Sequence, residues 1–229
     1  MRCPKSSLAA LAIVAAVGLA GPAASVGGDG GRGVYEIKVT NLTKGQDFAP
    51  IVAASHRRGV RFFKLGQPAS RQLESLAEEG DIGPLERVLR ANRRVLDTDS
   101  TFRHVRPGRS VTLRVRFDGP FNRISLAGML VPTNDGFVAL NGVRGPGDRA
   151  PLTLRAPGYD AGSEANDELC TSLPAPARFC GATPRPGPAP DAEGFVHIHR
   201  GIQGIGNLDE AVSDWRNPIA EIVIRRLER

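Results

Sequence analysis

Residues 123–140 read RISLAGMLVPTNDGFVAL, two apolar runs separated by a polar turn. The runs Arg123–Val131 and Gly136–Leu140 are each as long as an ordinary β-strand. Between them, Asp135-Gly136 is a dipeptide common in hairpin turns. The segment therefore predicts two neighbouring antiparallel strands, and the rest of the fold is predicted outward from them.

Alternating apolar and polar residues predict further strands on both sides of this pair. Residues 110–117, SVTLRVRF, alternate over their whole length, and so do residues 34–41, VYEIKVTN, with Tyr35, Ile37 and Val39 on one face. Other strands are expected at 61–65, 151–155, 194–199 and 219–227, with a short apolar segment at 50–54. Short strands between Gly/Pro turns are typical of an antiparallel β-sandwich.

One or two short helices are expected as insertions between the strands, not as parts of a βαβ series. Ser70 suits an N-cap for a helix that Gly80 ends. A second helix is predicted over 84–91, with Leu85, Val88 and Leu89 facing inward.

The N-terminal residues 1–25 have the order of a secretory signal peptide: Arg2 and Lys5, an apolar run from Leu8 to Ala20, then small residues. An uncleaved anchor is the alternative, although the run is shorter than the roughly 20 residues that span a bilayer. We expect a flexible lead over 26–33, one domain over 34–229, and a secreted or periplasmic protein without a transmembrane segment.

Composition disfavours nucleic acid as a partner. The chain has 30 basic and 24 acidic residues, yet only 2 Tyr and 1 Trp and no lysine-rich tail. Cys170 and Cys180 would remain after signal cleavage, and such a pair in an exported chain predicts a disulfide. A redox or metal pair is the weaker alternative, because the spacing is too long for Cys-x-x-Cys. The enclosed residues 171–179 are proline-rich and predicted to be irregular.

The acidic loop 158–168, GYDAGSEANDE, is a candidate metal site. Asp160 and Glu164 could point to one centre, and Asp135 could join them, because turns at one end of a sandwich cluster. Oxygen ligands on a glycine-hinged loop suit calcium better than zinc. The alternative readings are a solvated acidic loop and, for Asp135, an ordinary hairpin turn.

A second candidate site uses Glu193, His197 and His199. Residues i and i+2 of a strand share a face, so His-x-His with a nearby carboxylate could hold zinc, copper or iron. The plainer interpretation is that both histidines line a pocket or hydrogen-bond across the strand.

Little supports nucleophilic catalysis, because the chain has no Gly-x-Ser-x-Gly and both remaining cysteines are predicted to be bonded. Residues 201–206, GIQGIG, lack the βαβ context of a phosphate loop and suit a close-approach turn. Trp215 is expected in the core. A non-enzymatic protein is therefore predicted.

Three ordered segments resemble the spondin domain, most of all its secreted, stand-alone bacterial members. They are SLAGMLVPTNDGFVALNGV, GYDAGSEANDELC and EGFVHIHRGIQGIGNLDEAVSDWRNPIAEIVIRRL, with YEIKVTNLTKGQDFAP at the start. The resemblance implies an antiparallel β-sandwich similar to calcium-dependent phospholipid-binding modules.

The resemblance also implies a calcium site. The family's acidic turn matches Asp135, and its Asp-Ala-Gly-Thr-Asp loop matches residues 160–164, with Glu164 in place of the second Asp. The expected function is a calcium-binding module for binding or adhesion at the cell envelope or outside the cell. Its ligand, a protein, polysaccharide or lipid headgroup, stays open, and so does a transition-metal protein or metalloenzyme using Glu193, His197 and His199.

Overall fold

The computed structural model describes residues 31–174, 177–181 and 187–227, so the predicted signal peptide lies outside the described residues. Strands occupy β1 (Arg32–Asn41), β2 (Asp47–Phe48), β3 (Val52–His56), β4 (Val95–Ser100), β5 (Ser110–Asp118), β6 (Arg123–Val131), β7 (Gly136–Arg144), β8 (Leu152–Ala156), β9 (Gly158–Asp160), β10 (His197–Ile198) and β11 (Ala220–Leu227). Helices occupy α1 (Arg71–Glu79), α2 (Gly83–Ala91), α3 (Ala177–Cys180) and α4 (Glu210–Ser213).

The strands form two antiparallel sheets, which confirms the mainly β class. The first sheet has the order β5-β1-β11-β8. The second has the order β10-β9-β7-β6-β3-β4, and β2 pairs with β6. One face of each sheet contributes to a shared core, in which Ile37 and Leu113 of the first sheet and Leu126 and Val138 of the second are buried. The sheets therefore pack as a sandwich.

The second sheet is buried on both faces, which explains the continuous apolar run of β6. Val138 and Leu140 of β7 face the shared core, while Phe137 and Ala139 face an outer core beneath α1 and α2. Complete burial of a side chain such as Phe137 stabilises the fold by roughly 1.5–3 kcal/mol. The two helices thus cover the sheet that carries the candidate site.

The helix predictions are confirmed except for one side chain. Ser70 accepts the backbone N–H of Leu73 at the start of α1, and Gly80 ends it in the left-handed conformation. In α2, Leu85 and Leu89 are buried, but Val88 is 50% exposed. The inward orientation predicted for Val88 is wrong, because the four-residue spacing of Leu85 and Leu89 defines the buried face.

Residues 61–65 form a loop, so the strand predicted there is wrong. The side chain of Asn141 replaces a strand partner, since its Oδ1 accepts the N–H of Phe62 at 3.0 Å and its Nδ2 donates to the carbonyl of Phe63 at 2.8 Å. Both phenylalanines still reach the outer core.

Strand β4 was not predicted, because its sequence VLDTDS is polar. Two aspartates in this strand accept hydrogen bonds from backbone N–H groups of β5. Oδ2 of Asp99 lies 2.7 Å from the nitrogen of Arg114, and Oδ2 of Asp97 lies 2.8 Å from the nitrogen of Arg116. These carboxylates cover the edge of β5 that no strand covers in the described residues.

Three predicted boundaries differ from the structure. Strand β1 begins at Arg32, inside the predicted lead. The strand predicted over 194–199 is only His197–Ile198, because the N–H and carbonyl of Val196 bond to the loop at Gly66 and Gln67. Residues 171–179 were predicted to be irregular, but α3 begins at Ala177.

Cys170 and Cys180 form the predicted disulfide. Trp215 is 6% exposed and belongs to the shared core, as predicted. None of the helices within the described residues is long and apolar enough to cross a membrane.

Candidate functional site

The turn between β6 and β7 places Asp135 at the end of the sandwich. The hydroxyl of Thr133 donates to the carbonyl of Leu130 at 2.6 Å and accepts the N–H of Gly136 at 3.0 Å. A Cβ on Gly136 would lie 2.7 Å from that hydroxyl oxygen, so the turn has room only for glycine there. This closed turn holds Asp135 fully buried.

One oxygen of Asp135 ties this turn to the acidic loop. Its Oδ2 accepts the backbone N–H groups of Ser163 at 2.7 Å and Glu164 at 3.1 Å, and it lies 3.3 Å from the Ser163 hydroxyl. Its Oδ1 is buried and has no hydrogen-bond partner among the described residues. Asp135 therefore keeps one inward oxygen available to a ligand.

Asp160 lies between two neighbouring strands at the end of β9. It is opposite Gly136 of β7 and opposite His197 of β10. Its Oδ1 accepts the N–H of Gly162 at 2.8 Å, and its Oδ2 accepts from Nδ2 of Asn166 at 2.7 Å. Strand pairing thus brings the predicted ligands Asp135 and Asp160 together, although 25 residues separate them in the chain.

Glu164 donates its backbone N–H to Asp135, and its own carboxyl group is near enough to Glu78 and Asp135 to feel the charges of both. The side chain lines a cavity of about 540 Å³ together with Glu78, Glu79 and Asp81 of the α1 end. Glu164 is 6% exposed, and its Oε2 has no hydrogen-bond partner among the described residues. Glu164 therefore borders this cavity beside Glu78, on the side of the α1 end.

These carboxyl groups are buried close to one another, and their pKa values rise. Burial, then the charge of Asp160, raises the pKa of Asp135 to about 7. Burial, then the charges of Glu78 and Asp135, raises the pKa of Glu164 to about 7. Burial also raises the pKa of Asp160. No Lys or Arg of the described residues pairs with these three carboxylates, so a bound cation would favour their ionised forms.

The structure also brings residues of the two predicted sites together. One donor atom from each of Asp160, Glu193 and His197 lies within 4.8 Å of the others. Asn166 joins the two carboxylates, because its Nδ2 lies 2.7 Å from Asp160 and 3.2 Å from Glu193. Asp135 and Glu164 are not members of this trio, so the candidate site extends from Asp135 through Asp160 to Glu193.

The two histidines differ in what their rings offer. Nδ1 of His197 lies 3.1 Å from the carbonyl of Ile198, so it donates and leaves a lone pair on Nε2. Nδ1 of His199 instead accepts the N–H of Gly201 at 3.0 Å, which puts the proton of the neutral ring on Nε2. Burial lowers the pKa of His199 to about 3. The His199 ring lies 4.8 Å from the Trp215 ring and is tilted by 50° to it. Because its neutral ring carries the proton on Nε2, His199 does not offer the Nε2 lone pair that a metal requires.

Sequence reasoning missed the supporting role of Ser163 and Asn166, since short polar residues in an acidic loop give no separate signal. It also missed Glu168, which is 3% exposed. The Glu168 carboxylate accepts the N–H groups of Gln203 at 2.6 Å and Ile205 at 3.1 Å. The glycine-rich loop thus surrounds a protein carboxylate, and a Cβ on Gly206 would meet the Glu168 carbonyl at 2.4 Å, in line with the predicted close-approach turn.

The family model described as Spondin_N matches residues 40–144, which confirms the resemblance to the spondin-domain family. No curated protein matches the chain. The family and the Cys170–Cys180 disulfide indicate an extracellular or secreted domain.

Proposed function

We propose that this domain is an extracellular calcium-binding module with a binding role rather than a catalytic one. The observation that carries the proposal is the buried Asp135 carboxylate beside Asp160, with Oδ1 unpartnered and no Lys or Arg of the described residues in place to balance the charge. Buried carboxylates without a counter-charge are costly, and a cation removes that cost.

The donor set fits a hard cation. Calcium takes roughly six to eight oxygen ligands in flexible geometry. Asp135 and Asp160 would supply carboxylate oxygens from two adjacent turns, and Glu164 is the third ligand that the sequence predicts. When bound, the ion would neutralise the facing carboxylates and join the β6–β7 turn to the acidic loop.

The histidine-based alternative has less support. His199 accepts a backbone N–H on Nδ1, whereas a ligating histidine usually donates from its second nitrogen. The two remaining residues, Glu193 and His197, lie beside Asp160 and would enlarge the same centre.

Calcium titration of chelator-treated protein tests the proposal. We expect millimolar calcium to raise the melting temperature, and Asp135→Asn and Asp160→Asn to remove most of that shift. Asp148→Asn is the matched control, because Asp148 is exposed and only accepts the N–H of Ala150. An unchanged melting curve with calcium, or equal shifts in Asp160→Asn and the control, contradicts the proposal.

A further inference from the structure

The β4–β5 loop, residues 101–109 with the sequence TFRHVRPGR, is a basic feature at the same end of the sandwich as the candidate site. It contains three arginines and no acid. Arg103, Arg106 and Arg109 are exposed, and Phe102 is 92% exposed. The loop borders a cavity of about 570 Å³.

The backbone of this loop is held firmly in the core. Val105 is 4% exposed, and its N–H and carbonyl bond to Phe48 at 2.8 and 3.0 Å. Nδ2 of Asn41 donates to the same carbonyl at 2.8 Å, and the N–H of Asn41 donates to the carbonyl of Arg109 at 2.9 Å. The charged side chains therefore project from a preformed support, which lowers the entropy cost of binding a ligand.

A tight turn places two of the cations side by side. The N–H of Arg109 donates to the carbonyl of Arg106 at 3.0 Å, and Gly108 between them has φ +70°. Pro107 followed by a glycine of positive φ is typical of a type II turn, whose first and fourth Cα atoms lie within about 7 Å. Arg106 and Arg109 are thus close like charges.

No carboxylate of the described residues pairs with the three guanidinium groups. Asp99, which also lines the cavity, already accepts the N–H groups of Ser100 at 2.9 Å and Arg114 at 2.7 Å. In the described part of the chain, no carboxylate forms an ion pair that would offset the repulsion between these arginines. Guanidinium groups match the oxygen geometry of sulfate and carboxylate groups, so an anionic ligand would offset the repulsion between the arginines.

We propose that the β4–β5 loop binds an anionic polysaccharide. The three arginines would contact sulfate or uronate groups, and Phe102 would pack against the apolar face of a sugar ring. The cavity volume lies within the roughly 300–1,000 Å³ of small-ligand sites, which suits a few sugar units of a polysaccharide chain. The inference does not rest on calcium binding, because it uses none of the candidate cation ligands.

Binding of a heparin oligosaccharide in EDTA, measured by calorimetry, tests this proposal. We expect Arg106→Gln/Arg109→Gln to raise the dissociation constant at least tenfold. A change of about tenfold is what the loss of one charge-assisted hydrogen bond produces. Phe102→Ala should also weaken it, and neutral dextran should not bind. Arg93→Gln/Arg225→Gln removes the same charge. Arg93 precedes β4, about 20 Å from the loop, and Arg225 is opposite Glu36, about 13 Å along β1 from Thr40, which is opposite Ser110. Both distances exceed the Debye length of about 10 Å, so heparin affinity should hold.

Three outcomes overturn the proposal: no heparin binding, an equal loss in the Arg93/Arg225 control, or stronger binding to phosphatidylglycerol vesicles than to heparin. The melting temperature of each variant shows that it is folded. The two proposals can fail independently. The heparin titration is run in EDTA, so its result does not depend on whether the protein binds calcium, and a repeat with calcium shows any effect of the cation site.

Discussion

Nε2 of His197 lies 3.4 Å from Oδ1 of Asp160, across the paired strands β10 and β9. Since Nδ1 of His197 is hydrogen-bonded to the carbonyl of Ile198, a lone pair of the neutral ring faces the carboxylate. The centre around Asp160 thus contains one imidazole donor beside several carboxylates, which raises the question of which metal it prefers.

We expect calcium rather than zinc in protein purified without chelators. His199 does not offer its Nε2 lone pair, so one imidazole is left, and structural zinc sites usually take four nitrogen or sulfur ligands. Elemental analysis measures this directly, and His197→Ala should keep most of the calcium-dependent melting shift. Stoichiometric zinc that disappears in His197→Ala would contradict the calcium assignment.

Gly162 is required by the close approach of two loops. It has φ +66°, and a Cβ there would lie 2.2 Å from the carbonyl oxygen of Phe195. We expect Gly162→Ala to lower the free energy of unfolding by at least about 2 kcal/mol, from backbone strain and this clash. Gly147→Ala is the control in urea unfolding, because it has open space and no positive φ. Equal stability of the two variants would refute the packing argument.

His56 makes the fold sensitive to acid. It is fully buried, its Nδ1 donates to the carbonyl of Arg57 at 2.9 Å, and its Nε2 lies 2.9 Å from the hydroxyl of Ser125. In the neutral ring with its proton on Nδ1, Nε2 accepts from that hydroxyl, whose oxygen also accepts the N–H of Gly142. Burial lowers the pKa of His56 below 6.5. The neutral ring thus satisfies both partners, and burial opposes its protonation.

Because the pKa of His56 is lower in the folded state, the unfolded state binds more protons between the two pKa values. The stabilisation is complete above pH 6.5 and declines as pH falls toward the folded pKa, by up to about 1.4 kcal/mol per pH unit. Urea unfolding of His56→Gln between pH 7 and 5 should show a shallower decline than the native protein. A native slope in His56→Gln would exclude this role.

The Cys170–Cys180 disulfide should contribute to stability at the margin of the shared core, against which Cys180 packs. It closes a loop with a sequence separation of 10, and the chain-entropy relation gives about 3 kcal/mol for a loop of this size. Cys170→Ala/Cys180→Ala should lower the free energy of unfolding by about that amount in urea. An unchanged midpoint would refute a contribution of the disulfide to stability.

Much of the fold follows from local patterns. The alternation of residues 110–117 and the apolar run of residues 123–131 predict β5 and β6, because side-chain period and burial are properties of the strand itself. The cap pair Ser70 and Gly80 predicts α1 for the same reason. Local patterns do not predict strand β4 or the loop at 61–65. Their hydrogen-bond partners come from distant segments: Asn141 bonds the backbone of the loop, and β5 bonds the Asp99 side chain of β4.

The sequence by itself determined most of the longer strands, the first helix and the cysteine pair, and it named the candidate carboxylates, because each of these depends on residue type and short-range spacing. Only the tertiary structure decided which carboxylates meet. Pairing of β7, β9 and β10 placed Asp135, Asp160 and His197 at one edge, and the acidic loop placed the Glu164 carboxyl group beside the α1 end. The conformation of residues 197–201 decided the roles of the two histidines, because the backbone group bonded to Nδ1 of each ring determines which nitrogen carries the proton.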